Sequence, residues 1–485
     1  MANVELLERQ IMGRLKIDNP WWRTGKIPSD YANMTPRLYL DKFYPIATDP
    51  SIRRAVILMG PRRVGKTVMV FHTIQRLINE GVSPQNIIYI SVETPIYNKI
   101  LLEELFIMAK RTLGKEDSEE RFYVFFDEVQ YLKEWEINLK SLVDTYRNVK
   151  FVATGSAAAE LKMKSNESGA GRFTDFNLPP LLFVEYIHMK KYDYLFKETE
   201  TVFNGYPANY YTTDNIEKAN RLLLDYMNYG GYPEVAMSEK IQGDPEQFIR
   251  HDIIDKVLLR DLPSLYGITD VQELNSLFNM IAYHSGAQFS YKNLAQESEV
   301  KIDTLKKYIT YLEAAFLIKL VHRIDDNAKV FKRNVNFKIY LTNPSLRCAL
   351  FQPIEKDENE MGDMIETTVY SQWIPRGLEV GYANWKKSKS EQGEVDMVGL
   401  NASSLKPSWA VEIKWSDMFF ENPLKLTSLL YFLEKNQLPS AIVTSRTKEG
   451  IKTVNGLDIL FIPVVNYIYT VGKNTLEKRK DFKGL

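Results

Sequence analysis

The chain has a single cysteine, Cys348, in 485 residues. That excludes an intrachain disulfide and any cysteine-based metal cluster, and it suits a reducing compartment. Histidine is scarce too, and the five at 72, 188, 251, 284 and 322 show no ligand spacing. Charge of one sign is missing: 62 Lys and Arg balance 62 Asp and Glu. No whole-chain field therefore draws the protein to nucleic acid or to an anionic membrane, and any such surface has to be local. Nowhere do apolar residues run long enough to span a bilayer, and the opening "MANVELLERQ" is acidic where a signal peptide would be apolar. The expectation is a cytoplasmic protein with no membrane partner. Repeats and low-complexity tracts are also lacking. What is present is 45% hydrophobic and 26% charged residues, the composition of a chain that folds throughout, and its length suggests roughly three domains at about 150 residues each.

Residues 1–50 read as a lead-in, with a short amphipathic helix and then "NPWWRTGKIP". Trp21 and Trp22 are expected to pack onto the next domain. Over 51–190, the short apolar runs "AVILMG", "NIIYISVE", "FYVFFDE" and "VKFVATGS" alternate with helical segments, as buried parallel strands of a doubly wound α/β sheet do. Residues 191–285 read as helical. Over 286–345 the order short helix, turn, longer helix, two strands suggests a winged helix-turn-helix. A further α/β region fills 346–485.

"GPRRVGKT", residues 60–67, follows the strand "AVILM" and opens the helix "TVMVFHTIQRLI", which is the context a phosphate-binding loop needs. Gly60, Pro61, Arg62, Arg63, Val64, Gly65, Lys66, Thr67 and Val68 form the candidate nucleotide cradle. Its backbone N–H groups curl around the phosphates, Lys66 reaches the β- and γ-phosphates, and Thr67 offers a hydroxyl to Mg²⁺. "FYVFFDE" then ends a strand in Asp127, a candidate for the magnesium shell, and Glu128, a candidate to orient and deprotonate water. Thr154 and Ser156, at the end of "FVATGS", are read either as γ-phosphate sensors or as an ordinary helix cap. Arg172 in "SGAGRF" is a candidate arginine finger, acting on its own chain's nucleotide or a neighbour's. ATP and Mg²⁺ are the implied cofactors.

The order "GPRRVGKT", "FFDE", "TGS", "GRF", "LPPLLFVEYI" resembles the AAA-type ATPases of bacteria and archaea whose C-terminal half is a domain of uncharacterised function. "NPWW", "YGGYPEVA" and "GEVDMVG…AVEIKW" extend the resemblance over most of the chain. It implies ATP, Mg²⁺ and, in many members, a nuclease-like fold at the end.

That end contains "GEVDMVG" and "AVEIKW", two β-forming runs separated by the turn-rich "NASSLKPS". Asp396 and Glu412 are symmetric about Ser404, so a hairpin without a bulge sets the two carboxylates side by side with Lys414 next along. Val395 and Met397, like Val411 and Ile413, are expected to face the core. Adjacent carboxylates repel unless a cation lies between them, and Mg²⁺ suits an all-oxygen pair. Asp396 and Glu412 would then hold a metal, with Lys414 positioning water or offsetting phosphate charge. The set resembles the PD-(D/E)XK nuclease core, which implies an added acid from the preceding helix, and Glu366 fits that position. Glycine at 393 and no proline before Asp396 depart from the strictest pattern.

Lys306 and Lys307 fall on the polar side of the recognition-like helix, and Lys329, Lys332, Arg333 and Lys338 are expected at the wing, together a patch for DNA phosphates. Winged helices also dock proteins. The basic C-terminal "GKNTLEKRKDFKGL" needs no partner. The expected function is a Mg²⁺-dependent ATPase whose nucleotide state controls a nuclease-like domain on DNA. The alternative is a nucleotide-dependent regulator or scaffold whose last domain is catalytically silent. ATP, DNA and further copies of the chain are the partners considered.

Overall fold

A computed structural model describes residues 2–97, 100–155, 171–203, 206–324, 336–355, 360–377, 380–386, 392–401, 403–477 and 484–485. The chain divides into two compact units, Met1–Pro179 and Pro180–Leu485.

The first unit is built on five parallel strands in the order β2-β3-β4-β1-β5. They are β1 (Ala55–Met59), β2 (Ile87–Ser91), β3 (Phe122–Asp127), β4 (Val149–Gly155) and β5 (Phe173–Asn177). Every residue of β1 and β3 is buried, the pattern that continuous apolar runs dictate when helices cover both faces of a sheet. The lead-in is part of this unit. Its helix α1 (Ala2–Asp18) sends Ile11 and Leu15 into the same core as Ile88, Phe106 and Phe126. The indole N–H groups of Trp21 and Trp22 both donate to the Ile87 carbonyl, at 3.0 and 2.7 Å, so these tryptophans pack as expected.

In the second unit, β6 (Lys197–Phe203) and β7 (Tyr206–Thr212) form a hairpin where a purely helical region is expected. "KETETVF" alternates threonine with glutamate, a half-exposed strand pattern with too few apolar residues to announce itself. Helices follow between Ile216 and Tyr283. Next come β8 (Gln288–Ser290), α2 (Tyr291–Ser298), α3 (Ile302–Ala314), β9 (Ile318–Ile324) and β10 (Asn336–Leu341), with β10 antiparallel to both β8 and β9. The last stretch carries α4 (Met361–Trp373), β11 (Val380–Lys386), β12 (Gln392–Leu400), β13 (Pro407–Glu412), α5 (Thr427–Asn436), β14 (Ser440–Ser445), β15 (Gly450–Val454), β16 (Leu457–Pro463) and α6 (Val464–Glu477).

These strands do not divide at residue 345. β9 pairs in parallel with β11 through Arg323–Tyr382 and Ile324–Ala383, so one nine-stranded sheet runs β15-β16-β14-β13-β12-β11-β9-β10-β8. Backbone hydrogen bonds therefore cross the boundary expected at 345, and packing does not break there.

Helices cover this sheet on both faces. Ala410, Val443, Val395 and Val398 cluster with Leu429, Leu430, Phe432 and Leu433 of α5, whereas neighbouring Trp409 stacks on Trp373 of α4 at 5.3 Å. Adjacent strand residues point to opposite faces. Val395 and Val398, not Val395 and Met397, share the α5 face. Gly381 lies opposite Val398 and Ala383 opposite Val395, leaving Asp396 and Met397 together against Tyr382, a bulge that shifts the alternation by one.

Candidate functional site

The first unit carries the phosphate loop between β1 and the helix Lys66–Asn79. Gly60 is required for space: a Cβ there would lie 2.2 Å from the Leu178 carbonyl oxygen. Arg63 and Gly65 take positive φ of 64° and 93°, the curl that turns successive N–H groups toward a common centre. Lys66 is buried and its ammonium donates to the carbonyls of Gly60 (3.1 Å) and Pro61 (2.8 Å). Buried Arg37, from the lead-in, donates to the Val64 carbonyl at 2.6 Å and to Pro179 at 3.1 Å, tying the loop from below.

Because β4 lies between β1 and β3, the tip of β4 can reach the carboxylate at the end of β3. Thr154 donates to Asp127 Oδ1 and accepts the Glu128 N–H at 3.2 Å. Thr67 and Tyr89 both donate to Asp127 Oδ2, at 2.9 and 2.8 Å. Burial, with Glu128 alongside, pushes the Asp127 carboxyl up against the pull of these three hydroxyls. A buried anion needing counter-charge, in contact with the loop threonine, suits a magnesium shell. Glu128 takes a left-handed φ of 58° at the strand end, and Gln130 donates to its carboxylate. Burial, then Glu128 and Asp127, push nearby Glu93 up as well.

Thr154 is thus held on Asp127 and Glu128. Ser156 lies outside the described residues. Arg172 is not brought to its own chain's loop. It precedes Phe173, which lies beside Ala55 at the start of β1, while the loop follows Met59 at the other end. At ~3.3 Å per residue that places it roughly 16 Å away along the strand, exposed and paired with Asp144.

The second unit brings Asp396, Glu412, Lys414 and Glu366 together. Val411 pairs with Met397, so continuing one residue sets Asp396 opposite Glu412. The register does shift near the turn, between Gly399 and Leu400, but on the turnward side, where it leaves this pairing intact. Lys414 Nζ bridges Asp396 Oδ2 (3.1 Å) and Glu412 Oε1 (2.8 Å), and the Ile413 N–H donates to Asp396 Oδ2 at 2.8 Å. Burial and the Asp396 charge push Glu412 up to about 8 against the pull of Lys414. Its Oε2 is buried without a hydrogen-bond partner. Glu366, on α4, is pushed up to about 7 by burial, against Lys338, with Asp396 adding to the rise.

Lys338 is a correction. The basic run "NAKVFKRNVNFK" placed it on a wing surface, yet it is 4% exposed. It sits on β10, where its ammonium pairs with Glu366 at 2.9 Å and Glu394 at 2.6 Å. Burial pulls that ammonium down, but Glu366, Glu394 and Asp396 outweigh it and hold it charged. Lys329, Lys332 and Arg333 lie outside the described residues. Lys306 and Lys307 are exposed on α3 as expected. Gly393 also finds its reason: it pairs with Trp385, and a Cβ would meet that indole at 2.5 Å. Among the described residues no group of three or more His, Cys, Asp or Glu side chains is gathered closely enough to hold a metal. No helix among them is long and apolar enough to cross a membrane.

Sequence reasoning missed Arg37, Tyr89 and Glu394 and misplaced Lys338. The signal for two of them was present in "NFKIYL" and "NIIYIS", where a lone lysine and lone tyrosines interrupt strands otherwise made to be buried.

Loop, strand-end acids and strand order define a P-loop nucleotide-binding domain. Its family match agrees: residues 52–187 fit the model of the AAA domain, which makes this segment an AAA-type P-loop ATPase domain. Residues 220–358 fit a domain of unknown function (DUF8612), which stops short of Glu366. An uncharacterised protein of Haemophilus influenzae is 23% identical over 417 residues, 84% of this chain and 92% of its own. One of Methanocaldococcus jannaschii is 26% identical over 349 residues, 70% of this chain and 71% of its own. Among solved structures, a Walker-type ATPase of Pyrococcus abyssi overlays with a TM-score of 0.36 and 13% identity, over 66% of this chain and 99% of that one. The ORC1 protein of Aeropyrum pernix in complex with DNA gives 0.30 and 13%, over 68% and 95%. Both overlays are too loose to bear on the fold.

Proposed function

We propose that this protein is a Mg²⁺-dependent ATPase whose nucleotide state controls a nuclease-like site acting on DNA. The observation that carries the proposal is the buried Asp127 carboxylate, contacted by Thr67 and Thr154 beside Glu128. Thr67 and Asp127 would hold the magnesium, which supplies charge neutralisation on the phosphates. Lys66 exchanges the Gly60 and Pro61 carbonyls for phosphate oxygens, and Glu128 orients a water and takes its proton. Arg172 would serve only a neighbouring copy's nucleotide. Lys66→Ala is expected to abolish ATP binding. Glu128→Gln should retain binding while slowing turnover about 10²- to 10⁴-fold; turnover at the wild-type rate would remove Glu128 from this role.

For the second site, the orphaned Glu412 Oε2 beside Asp396 fits a divalent ion. Asp396 and Glu412 would hold it, and it would polarise water and phosphate. Lys414 would steady the attacking water or the phosphate charge. The order β8-α2-α3-β9-β10 supports a winged-helix reading, with Lys306 and Lys307 toward the DNA backbone. The rival, a regulator whose last region is catalytically silent, draws support from Lys414 already bridging both carboxylates. Linear, branched and single-stranded DNA incubated with Mg²⁺ and ATP separate the two. Cleavage lost in Asp396→Ala and Lys414→Ala supports the nuclease; no cleavage of any substrate by the wild type supports the regulator.

A further inference from the structure

The acid cluster of the second unit has more partners than its hairpin supplies. Glu366 comes from α4, Glu394 and Asp396 from β12, and Glu412 from β13, while one lysine enters from β10 and the other from just beyond the end of β13. Lys414 serves Asp396 and Glu412. Lys338, from β10, serves Glu366 and Glu394. Tyr340, two residues along the same strand, donates to the Glu366 oxygen that Lys338 also contacts. Asn384 of β11 donates to the second oxygen of Glu394 at 3.0 Å.

The Lys338 ammonium is therefore fixed by two carboxylates, over the ring of Tyr382 at 5.3 Å, in a place too dry for a solvated surface lysine. A buried ammonium of this kind is costly to desolvate and persists where it neutralises acids that cannot otherwise be paired. Four carboxylates facing two ammoniums leave two negative charges uncompensated when all are ionised. The carboxylate oxygen left without a donor, Glu412 Oε2, lies on the Lys414 side of the cluster.

We infer that Lys338 is a built-in second cation of this cluster, so that the site takes one divalent ion and not a pair. The inference rests on the metal-dependent reading proposed above. Lys338 is a positioning residue: it holds Glu366 and Glu394 in place of a second metal, and it does so from the strand that also pairs with β8 and β9. A two-metal arrangement would need those two carboxylates free.

The test counts ions and does not depend on turnover. Mn²⁺ binding to the full chain, without nucleotide, is measured by calorimetry and by the spin resonance of unbound Mn²⁺, in the wild type, Asp396→Ala, Lys338→Arg and Lys338→Ala. Wild type and Lys338→Arg should bind one more ion than Asp396→Ala. Lys338→Ala should bind one more than the wild type, in the space between Glu366 and Glu394. Two Asp396-dependent ions in the wild type overturn the inference without recourse to any Lys338 variant. Folded Lys338→Ala that binds the wild-type number with unchanged affinity overturns it too, and leaves the metal reading standing. A wild type with no more ions than Asp396→Ala overturns both.

Discussion

At the scale of single residues, the two proposed sites turn on the buried carboxylates Asp127 and Glu412. Each is a carboxylate pushed up by burial, one held by three hydroxyls and the other left with a bare oxygen. For Glu412 the consequence can be signed. Its folded-state value of about 8 lies above its ordinary 4.5, so the native protein keeps a proton that the unfolded chain gives up. The stability this group contributes is whole below about pH 4.5 and is lost as pH rises toward about 8. Glu412→Gln cannot lose that proton. Without metal, the melting temperature of the variant relative to wild type should climb steadily across this window, and Mg²⁺ should raise the wild type alone at its upper end. A difference that stays flat with pH would show that Glu412 is ionised throughout. The carboxylates and Lys414 were legible because a hairpin midpoint can be counted along the sequence. Lys338 was misplaced, because the basic run before it pointed to a wing surface, while its partners Glu366 and Glu394 lie 28 and 56 residues further along the chain, beyond any local pattern.

At the scale of elements, the parallel sheet was legible wherever a strand is buried on both faces, since a run such as "FYVFFD" has no other stable place. The nine-stranded sheet was not. β9 buries only Ile318, Val321 and Ile324 of its residues, too little to announce a strand in the middle of a sheet, and its parallel pairing with β11 depends on a meeting of distant segments. The lead-in is the other element whose role is clear only in three dimensions, because Arg37 reaches the underside of the phosphate loop. It donates to Val64 at 2.6 Å and Pro179 at 3.1 Å while almost wholly buried. Hydrogen bonds to a charged group contribute about 1.5–3 kcal/mol, and losing the donor strands a carbonyl that shapes the loop. Arg37→Ala should lower unfolding stability in urea by roughly that amount and weaken ATP binding about tenfold, since about 1.4 kcal/mol is a factor of ten. A variant that is destabilised but binds ATP as tightly as wild type would confine Arg37 to a structural role.

At the scale of the whole molecule, the absence of net charge sharpens the question of nucleic-acid contact. With 62 basic and 62 acidic residues, binding to DNA has to come from placed side chains, and such binding weakens with salt in proportion to the phosphates neutralised. Lys306 and Lys307 are the described candidates, exposed on α3 with Leu305, Tyr308 and Ile309 anchoring its other side. Lys338, grouped with them by its basic sequence neighbourhood, is withdrawn into the acid cluster and contributes nothing to that surface. The affinity of the full chain for duplex DNA, followed by fluorescence anisotropy across a salt series, should therefore fall linearly on a logarithmic plot. Replacing Lys306 and Lys307 together by alanine should shallow the slope by about 0.9 for each phosphate that is no longer neutralised. Lys338→Arg should leave the slope where it was. On the nuclease reading proposed above, the Asp396→Ala variant should bind with the wild-type slope while failing to cut, which separates holding the backbone from breaking it. A slope unchanged by the double substitution would move the DNA surface away from α3 and weaken the winged-helix reading, leaving the acid cluster to find its substrate by another face.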